Sequence, residues 1–370
     1  MDPRARLLSL LPIGLGEELL PGVRLIAAST ELGLRLTFSD GADRTIEVEL
    51  QPIEDGGAHA ARSARFLLGY RAGAAIEPAA GKALCEAVAR AIAPREGAAP
   101  DEPVDAPRIR EVEVDRLLEP AAGFYTLSPY VGCLIGCRFC YAQSRLTGLR
   151  RFAGLSPAPW GSWVDVRINA PAVLARELAS LPPRPIKFCP IVSDPYHAIE
   201  ARRQLTRRCL EVIAAAPTPP PTLLLTRSAL VVRDLDVLAR LPRAWIGMSV
   251  PTVDDAVRAH FEPRAASIGE RLTTLRALRA AGVRCIAVAQ PMLPGDVDAL
   301  ADALAASVDS VSLDVLRGEE GAVGLFDDPR FAMARTGAWQ AERAEALRAA
   351  LTARGVPVWV GELPPDIAAG

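Results

Sequence analysis

No apolar run in this sequence of 370 residues reaches the roughly 18 residues that a membrane-spanning helix needs. An apolar segment does follow two arginines near the N-terminus. However, Pro12, Glu17 and Glu18 interrupt it, and no small-residue cleavage site comes after it. The sequence therefore predicts neither a membrane protein nor a secreted one.

An excess of basic residues is also missing, since 42 Lys and Arg residues stand against 44 Asp and Glu and the net charge is −2. A protein whose main partner is nucleic acid is expected to carry excess positive charge. One helix-like stretch is nevertheless rich in arginine: Arg202, Arg203, Arg207 and Arg208. It could hold phosphate, but a solvated helix face is the favoured interpretation. Nucleic acid is therefore not the favoured partner.

Histidine is scarce, with three residues, and four of the seven cysteines stand singly: Cys85, Cys189, Cys209 and Cys285. A structural zinc site usually needs four ligands, often as two close cysteine pairs. An odd number of cysteines in a chain of this length does not indicate a disulfide framework. Zinc sites and disulfides are therefore disfavoured as the use of these cysteines.

The other three cysteines, Cys133, Cys137 and Cys140, lie close together with the spacing C-x₃-C-x₂-C. Three thiolates on one loop can bind three irons of a [4Fe–4S] cluster and leave the fourth iron open. The spacing thus predicts a cluster with a free coordination position for a substrate or cofactor; zinc and buried free thiols are the alternatives. An oxygen-sensitive cluster and unpaired cysteines both favour the reducing cytoplasm.

Residues 1–93 are predicted to form a small β-rich domain. Four stretches alternate in strand fashion: VRLIAAST, LGLRLTFSDG, RTIEVELQP and RFLLGYR. A helix with apolar residues four apart is predicted to follow them. The segment 94–110 is rich in Ala, Pro and acidic residues, so we expect a linker there.

Residues 111–370 alternate between short apolar strands and amphipathic helices. The predicted strands are FYTLS, IKFCPIV, TLLLT, WIGMSV, RCIAVAQ and SVSLDV, with a short final VPVWV. This alternation is typical of a parallel sheet covered by helices. The fold class is therefore α/β, a partial (β/α)6 TIM-like barrel preceded by the small α+β domain. Chemistry in such a barrel gathers at the carboxyl ends of the strands.

About half of the chain resembles the spore-photoproduct-lyase-like branch of the radical S-adenosylmethionine (SAM) superfamily. The resemblance rests on the cysteine motif and on the following stretches: VSDPYHAIEARRQLTRRCLEVI, LLLTRSALVVRDLDVLARL, SVPTVDDAVRAHFEPRAASIGERLTTLRAL and QPMLPG. It implies SAM bound to the open iron, reductive cleavage of SAM and a 5′-deoxyadenosyl radical that abstracts hydrogen. It also implies a flavodoxin- or ferredoxin-type reducing partner.

The resemblance implies roles for residues around the motif. Phe139 and Tyr141 would lie near the adenine, although each is also interpretable as a packing aromatic. Ser193 and Asp194 would bind the amino end of SAM; alternatively, Asp194 caps the next helix through the turn at Pro195.

Three further residues at predicted strand ends are candidate SAM contacts. Arg227 would pair with the SAM carboxylate, or else form a surface ion pair. Ser249 would meet the ribose or the carboxylate. Gln290 would face the adenosine or the substrate.

Cys189 is a candidate catalytic residue. The related lyases use a cysteine just before the Ser-Asp pair as a hydrogen-atom donor. Here two extra residues intervene, which moves the thiol about 7 Å along the strand. A small buried side chain is the competing interpretation.

The sequence thus predicts a cytoplasmic radical SAM enzyme without a membrane partner. Its substrate is unidentified, a peptide or a natural-product intermediate being favoured. A DNA photoproduct-lyase-like repair enzyme and a non-catalytic Fe–S redox or sensing protein are the alternatives.

Overall fold

The computed structural model describes residues 13–29, 34–39, 45–52, 66–72, 106–121, 123–140, 142–143, 146, 158–188, 192–313 and 324–368. The chain divides into two compact units. One comprises residues 1–108 and 142–160, and the other comprises residues 109–141 and 161–370. In the described part of the chain, no helix is long and apolar enough to cross a membrane.

The first unit contains a five-stranded antiparallel sheet in sequence order. Its strands are β1 (Glu18–Leu20), β2 (Val23–Ser29), β3 (Leu34–Ser39), β4 (Thr45–Pro52) and β5 (Phe66–Ala72). Four of the five coincide with the predicted stretches, and β1 was not predicted. Leu25, Leu36 and Phe38 are almost fully buried, as the alternating pattern requires. The predicted helix after β5 lies outside the described residues.

The second unit contains two sheets. In chain order its strands are β6 (Arg108–Val112), β7 (Leu118–Pro120), β8 (Tyr125–Leu127), β9 (Tyr130–Val131), β10 (Trp163–Arg167), β11 (Ile186–Phe188), β12 (Thr222–Thr226), β13 (Ala244–Ser249), β14 (Arg284–Ala289), β15 (Ser310–Leu313) and β16 (Val358–Trp359). The larger sheet has the order β16-β15-β14-β13-β12-β11-β8-β7. From β8 to β16 all pairs in it are parallel, and β7 pairs antiparallel with β8.

This sheet confirms a mixed α/β fold with a parallel sheet. All seven predicted strands are present in it, in sequence order along the sheet. The sheet is open, because β7 and β16 lie at opposite edges and do not pair with each other.

The helices of the second unit include all four that the sequence pattern predicts, namely α1, α3, α6 and α7. In chain order they are α1 (Ala170–Ser180), α2 (Glu200–Arg203), α3 (Leu205–Ala214), α4 (Leu235–Leu238), α5 (Asp255–Phe261), α6 (Ile268–Ala280), α7 (Val297–Ala305), α8 (Gly337–Ala353) and α9 (Pro365–Ala368). The 17-residue helix α8 was not predicted. Helix α6 begins with a capping box in which Ser267 and Glu270 satisfy each other's backbone N–H groups.

The main core lies between the parallel sheet and its helices. Ile246 and Met248 of β13, Leu210 of α3 and Leu275 of α6 are fully buried within it. On the opposite face of the sheet, Trp245 packs in a second cluster with Ile367 of α9. Both faces are therefore covered, which is why these strands read as continuous apolar runs.

The smaller sheet has the order β6-β10-β9, with β9 and β10 antiparallel. Arg110 of β6 donates to the buried Asp165 of β10 through Nε (2.9 Å) and Nη2 (2.6 Å). Strand β9 comes directly before the cysteine motif. This sheet was not predicted, and it fixes the point at which the chain enters the motif.

Candidate functional site

The cysteine loop, residues 132–140, carries the three cysteines of the motif. Cys133 and Cys137 are buried, Cys140 is half-buried, and none of them is in a disulfide. The backbone N–H of Cys140 donates to the carbonyl oxygen of Cys137 at 3.2 Å, which closes a turn between the last two cysteines. The loop thus presents three free thiols within eight residues.

Gly132 allows the chain to turn from β9 into the cysteine loop. Its φ is +84°, in the left-handed region that favours glycine. A Cβ at this position would lie 2.4 Å from ring carbons of Trp163 and 2.7 Å from the Trp163 carbonyl oxygen. On the other side, the Ser193 hydroxyl donates to the Gly132 carbonyl oxygen at 2.6 Å. The entry to the loop is therefore held between β10 and the segment that follows β11.

The three thiols lie close enough to affect one another's ionisation. Burial, followed by the nearby Asp194 carboxylate, raises the pKa of the Cys133 thiol to about 12, and Cys140 contributes to the rise. Burial also raises the pKa of Cys137 well above its usual range; Arg227 opposes this rise, while Cys140 and Cys133 add to it. Three thiolates in this loop therefore need bound cations to stabilise them.

An iron–sulfur cluster fits this donor set. Among the described residues, no three His, Cys, Asp or Glu side chains converge on the position of a single metal ion. Cysteines that bind different irons of one cluster need not converge on one point. Soft, buried thiolates are the ligands that such clusters use.

Asp194 follows β11 and joins the ends of neighbouring strands. Its carboxylate accepts from the Thr226 hydroxyl (2.6 Å), the Tyr196 N–H (2.8 Å) and the Arg227 N–H (2.7 Å). Burial raises the pKa of Asp194, and these hydrogen bonds oppose the rise. The Asp194 carboxylate thus closes the local turn at Pro195, but it does not cap the next helix, α2, whose N-cap residue is Ile199. A contact with SAM stays a prediction for both Asp194 and Ser193.

Arg227 follows β12 and lies beside the cysteine loop. Its Nε donates to Oε1 of Glu262 at 2.6 Å, and its guanidinium carbon lies 5.7 Å from the centre of the Phe139 ring. Burial disfavours its charged form, but Cys137 and Glu262 outweigh that effect and raise its pKa. Arg227 is thus a fixed, largely buried cation. The predicted alternative of a surface ion pair does not describe it.

Phe139 is buried and packs near Phe261, with ring centroids 6.3 Å apart. Phe139 therefore packs against another aromatic side chain, as the alternative interpretation expects, and it lies beside Arg227. Its role toward the adenine stays a prediction.

Ser249 and Gln290 end the next two strands. The Ser249 hydroxyl is buried and forms no hydrogen bond within the described part of the chain. A buried unpartnered hydroxyl is costly, which makes Ser249 a candidate to contact a ligand. Gln290 is half-buried after β14. Gln340 of α8 fixes the following loop: it donates to the Met292 carbonyl oxygen at 2.9 Å and accepts from the Met292 N–H at 3.1 Å.

A family model described as the radical SAM superfamily matches residues 127–308, which include the cysteine loop and the ends of β11 to β14. Residues 127–308 of the chain belong to the radical SAM superfamily. This confirms the resemblance predicted from the motifs. Membership implies SAM and an iron–sulfur cluster as cofactors.

Curated relatives of this radical SAM protein cover the same part of the chain. An uncharacterised protein of Methanocaldococcus jannaschii is 28% identical over 177 residues, which are 47% of this chain and 62% of the relative. An uncharacterised protein of Mycobacterium tuberculosis is 29% identical over 179 residues, 46% of this chain and 50% of the relative. The chain thus spans between half and two thirds of the length of these relatives.

Solved structures of spore photoproduct lyase variants share the fold. One variant has a TM-score of 0.51 at 15% identity, covering 69% of this chain and 82% of the lyase. Another, with a dinucleoside spore photoproduct, has a TM-score of 0.50 at 16% identity, covering 68% of this chain and 81% of the lyase. At this identity the likeness concerns the fold alone.

Two predicted site residues of the radical SAM protein, Tyr141 and Cys189, lie outside the described residues. The roles assigned to them stay predictions.

Sequence reasoning missed Glu262 and Arg271. Both side chains are fully buried, and Arg271 Nη2 donates to Oε2 of Glu262 at 2.6 Å. Burial alone would raise the pKa of Glu262, but Arg271 and Arg227 hold it below its usual value. Glu262 belongs to the EPRA stretch, which the resemblance singled out without a role for its carboxylate. The available signal was the EPRA stretch itself, in which Glu262 directly follows α5.

Proposed function

We propose that this protein is a radical SAM enzyme that binds a [4Fe–4S] cluster through Cys133, Cys137 and Cys140. When bound and reduced, the cluster supplies the electron that cleaves the sulfonium of SAM to methionine and a 5′-deoxyadenosyl radical, which abstracts hydrogen from the substrate. The substrate is unidentified, and we favour a peptide or a natural-product intermediate.

One observation carries the proposal: Arg227 and the unpartnered Ser249 hydroxyl lie at the carboxyl ends of the neighbouring parallel strands β12 and β13, and the Arg227 guanidinium lies over Phe139 of the cysteine loop. A cation suits the carboxylate of SAM, and a hydroxyl suits its ribose or carboxylate. Neither group is needed by a protein that only stores electrons. This combination supports SAM binding beside the cluster.

The remaining candidates complete the SAM site in the proposal. Ser193 and Asp194 would hold the amino end of SAM, directly after β11. Phe139 and Tyr141 would flank the adenine, and Gln290 would face the adenosine or the substrate. Cys189 is kept as the candidate hydrogen-atom donor.

Nucleic acid is disfavoured as the substrate, because the net charge is −2 and carboxylates engage two of the four arginines in the arginine-rich stretch. Arg207 pairs with Asp234 (3.1 Å) and Asp236 (2.7 Å), and Arg203 pairs with Glu111. Arginine side chains that form ion pairs with carboxylates in this way are not available to bind the phosphates of a nucleic acid. This argues against the repair-enzyme alternative.

Residues 1–93 are proposed to recognise the substrate, and residues 94–110 to link them to a partial barrel formed by residues 111–370. An antiparallel sheet binds a peptide by adding it as a strand at an edge. A flavodoxin- or ferredoxin-type protein is the proposed reductant, in the cytoplasm.

We expect the protein, purified without oxygen, reconstituted with iron and sulfide and reduced with dithionite, to release 5′-deoxyadenosine and methionine from SAM. The three-cysteine donor set and the Arg227 cation are the reasons for this expectation. Chromatography of the quenched reaction measures both products. The unreduced protein is the control, because it holds the same cluster without the transferable electron.

A fully loaded cluster that leaves SAM intact, and whose spectrum SAM does not perturb, would contradict the enzyme proposal. That result would favour the Fe–S redox or sensing alternative.

A further inference from the structure

Glu262 lies directly after α5 with its side chain fully buried, and each of its carboxylate oxygens accepts from a different arginine. Oε1 accepts from Arg227 Nε, and Oε2 accepts from Arg271 Nη2, both at 2.6 Å. We call Arg227, Glu262 and Arg271 the Glu262 triad. The triad connects the end of β12 with helix α6 through one carboxylate.

Arg271 is the anchored end of the triad. It is fully buried, and besides Glu262 its guanidinium donates to the carbonyl oxygens of Ser249 (2.8 Å) and Ala266 (2.9 Å). A planar guanidinium with three fixed acceptors cannot turn without losing hydrogen bonds in the protein interior. Arg271 therefore fixes Oε2 of Glu262 relative to the end of β13.

Arg227 is the end of the triad that is open to a ligand. Its backbone N–H is held by Asp194 at 2.7 Å, and Glu262 occupies its Nε. A guanidinium bound through Nε keeps both Nη nitrogens for a second, bidentate acceptor. The hydrogen bond from Nε to Glu262 thus leaves the side of the guanidinium that carries the two Nη nitrogens to bind the ligand.

The charges of the triad indicate an anionic ligand. Among the described residues, neither arginine pairs with a carboxylate other than Glu262. Within the triad, two buried guanidinium groups and one buried carboxylate leave an excess of one positive charge; the buried Asp194 carboxylate hydrogen-bonds to Arg227 only through the backbone N–H. Burying an uncompensated charge is costly, so a negative group is expected to complete the site.

The triad also borders the cysteine loop. The Cys137 sulfur lies 3.9 Å from Oε1 of Glu262, and the Arg227 guanidinium lies over Phe139. A displacement of Glu262 would therefore move the Arg227 cation relative to a cluster ligand.

We propose that Glu262 is a positioning residue: anchored by Arg271, it holds Arg227 so that both Nη nitrogens meet the carboxylate of SAM beside Cys137. The inference rests on the proposed function. It adds to that function the residue that sets the geometry of SAM binding.

The test is a double-mutant cycle on SAM affinity. Glu262→Asp keeps the charge but shortens the side chain by one methylene, so Arg227 loses its position. We expect Glu262→Asp and Arg227→Ala each to weaken SAM binding by at least about tenfold. The double variant is expected to bind no more weakly than Arg227→Ala alone, because Glu262 acts through Arg227. Equilibrium dialysis of the reconstituted protein with methyl-labelled SAM measures the affinities.

Glu177→Gln is the matched control. Glu177 is also a buried carboxylate, and it accepts from the backbone N–H groups of Leu117 and Leu118. Glu177→Gln is expected to lower the Tm of the iron-free protein while leaving SAM affinity unchanged. Equal losses of SAM affinity in Glu177→Gln and Glu262→Asp would show a general structural effect and overturn the inference.

The cycle separates the inference from the proposed function. If the two single losses multiply in the double variant while the wild type binds SAM, Glu262 acts independently of Arg227 and the inference alone fails. A cluster-loaded wild type that binds no SAM overturns the proposed function as well.

Should Glu262→Asp not fold, Arg227→Lys replaces it as the test variant. A lysine ammonium cannot bind Glu262 and a ligand carboxylate at the same time in the geometry of the Arg227 guanidinium. Unchanged SAM affinity in Arg227→Lys would overturn the inference.

Discussion

Cys137→Ala is expected to abolish both iron binding and the formation of 5′-deoxyadenosine. Cys137 lies buried between the other two cysteines of the loop, and the ionisation of its thiol is coupled to both. Two thiolates cannot replace three as cluster ligands in a loop of this length. Iron and sulfide per chain after anaerobic reconstitution, together with chromatography of the SAM reaction, measure the two losses.

Cys209→Ala is the matched control for Cys137→Ala. Cys209 is also a fully buried free cysteine, but it packs in the core on helix α3. Its removal is expected to cost roughly 1–2 kcal/mol of stability and to leave the iron content unchanged. Wild-type iron content in Cys137→Ala would show that the three-cysteine assignment is wrong. Iron loss in both variants would instead indicate general instability.

The parallel sheet could be predicted because its signal is local. Runs such as Thr222–Thr226 and Ala244–Ser249 are apolar on both faces and alternate with amphipathic helices. Short connections then force the strands into sequence order, with their carboxyl ends on one edge. For that reason the motif residues Arg227 and Ser249 could be assigned to a common site before the structure was known.

The small sheet around β9 and β10 could not be predicted for the opposite reason. Strand β9 has two residues, too few to show a period, and Trp163–Arg167 follows a stretch rich in Gly and Pro. Pairing between Tyr130 and Val166 depends on long-range contacts. Yet this sheet fixes the entry to the cysteine loop. Local patterns thus indicated the cluster ligands but not the structure that positions them.

The Glu262 triad could not be predicted from the sequence. Burial is predicted from the spacing of apolar residues, and a buried charged residue does not contribute to that pattern. Arg271 belongs to a predicted helix and Glu262 to a motif stretch, and neither pattern indicates burial, whereas both side chains are fully buried against each other. Buried charges are rare and are found only with partners that fold brings together. The identity of those partners is a property of the tertiary structure.

Gly132→Ala is expected to destabilise the protein by roughly 2–5 kcal/mol and to impair cluster loading. A left-handed backbone costs an alanine about 1–2 kcal/mol, and overpacking adds about 1–3 kcal/mol. The new Cβ would meet both the ring of Trp163 and the carbonyl oxygen of that residue. Because Trp163 is buried in β10, relief requires the cysteine loop to move. Urea unfolding of the iron-free protein and iron content after reconstitution measure the two effects.

Gly123→Ala is the control that separates the steric clash with Trp163 from the free-energy cost of a left-handed backbone. Gly123 has nearly the same φ, +85° against +84°, but among the described residues no atom beyond its chain neighbours would lie within 4 Å of a Cβ at this position. It is expected to lose only the backbone contribution, about 1–2 kcal/mol, and to load the cluster normally. Equal losses in the two variants would show that the packing of Trp163 against Gly132 does not constrain the loop. A larger loss in Gly132→Ala, accompanied by loss of iron, would tie cluster loading to the small sheet that holds the loop entry.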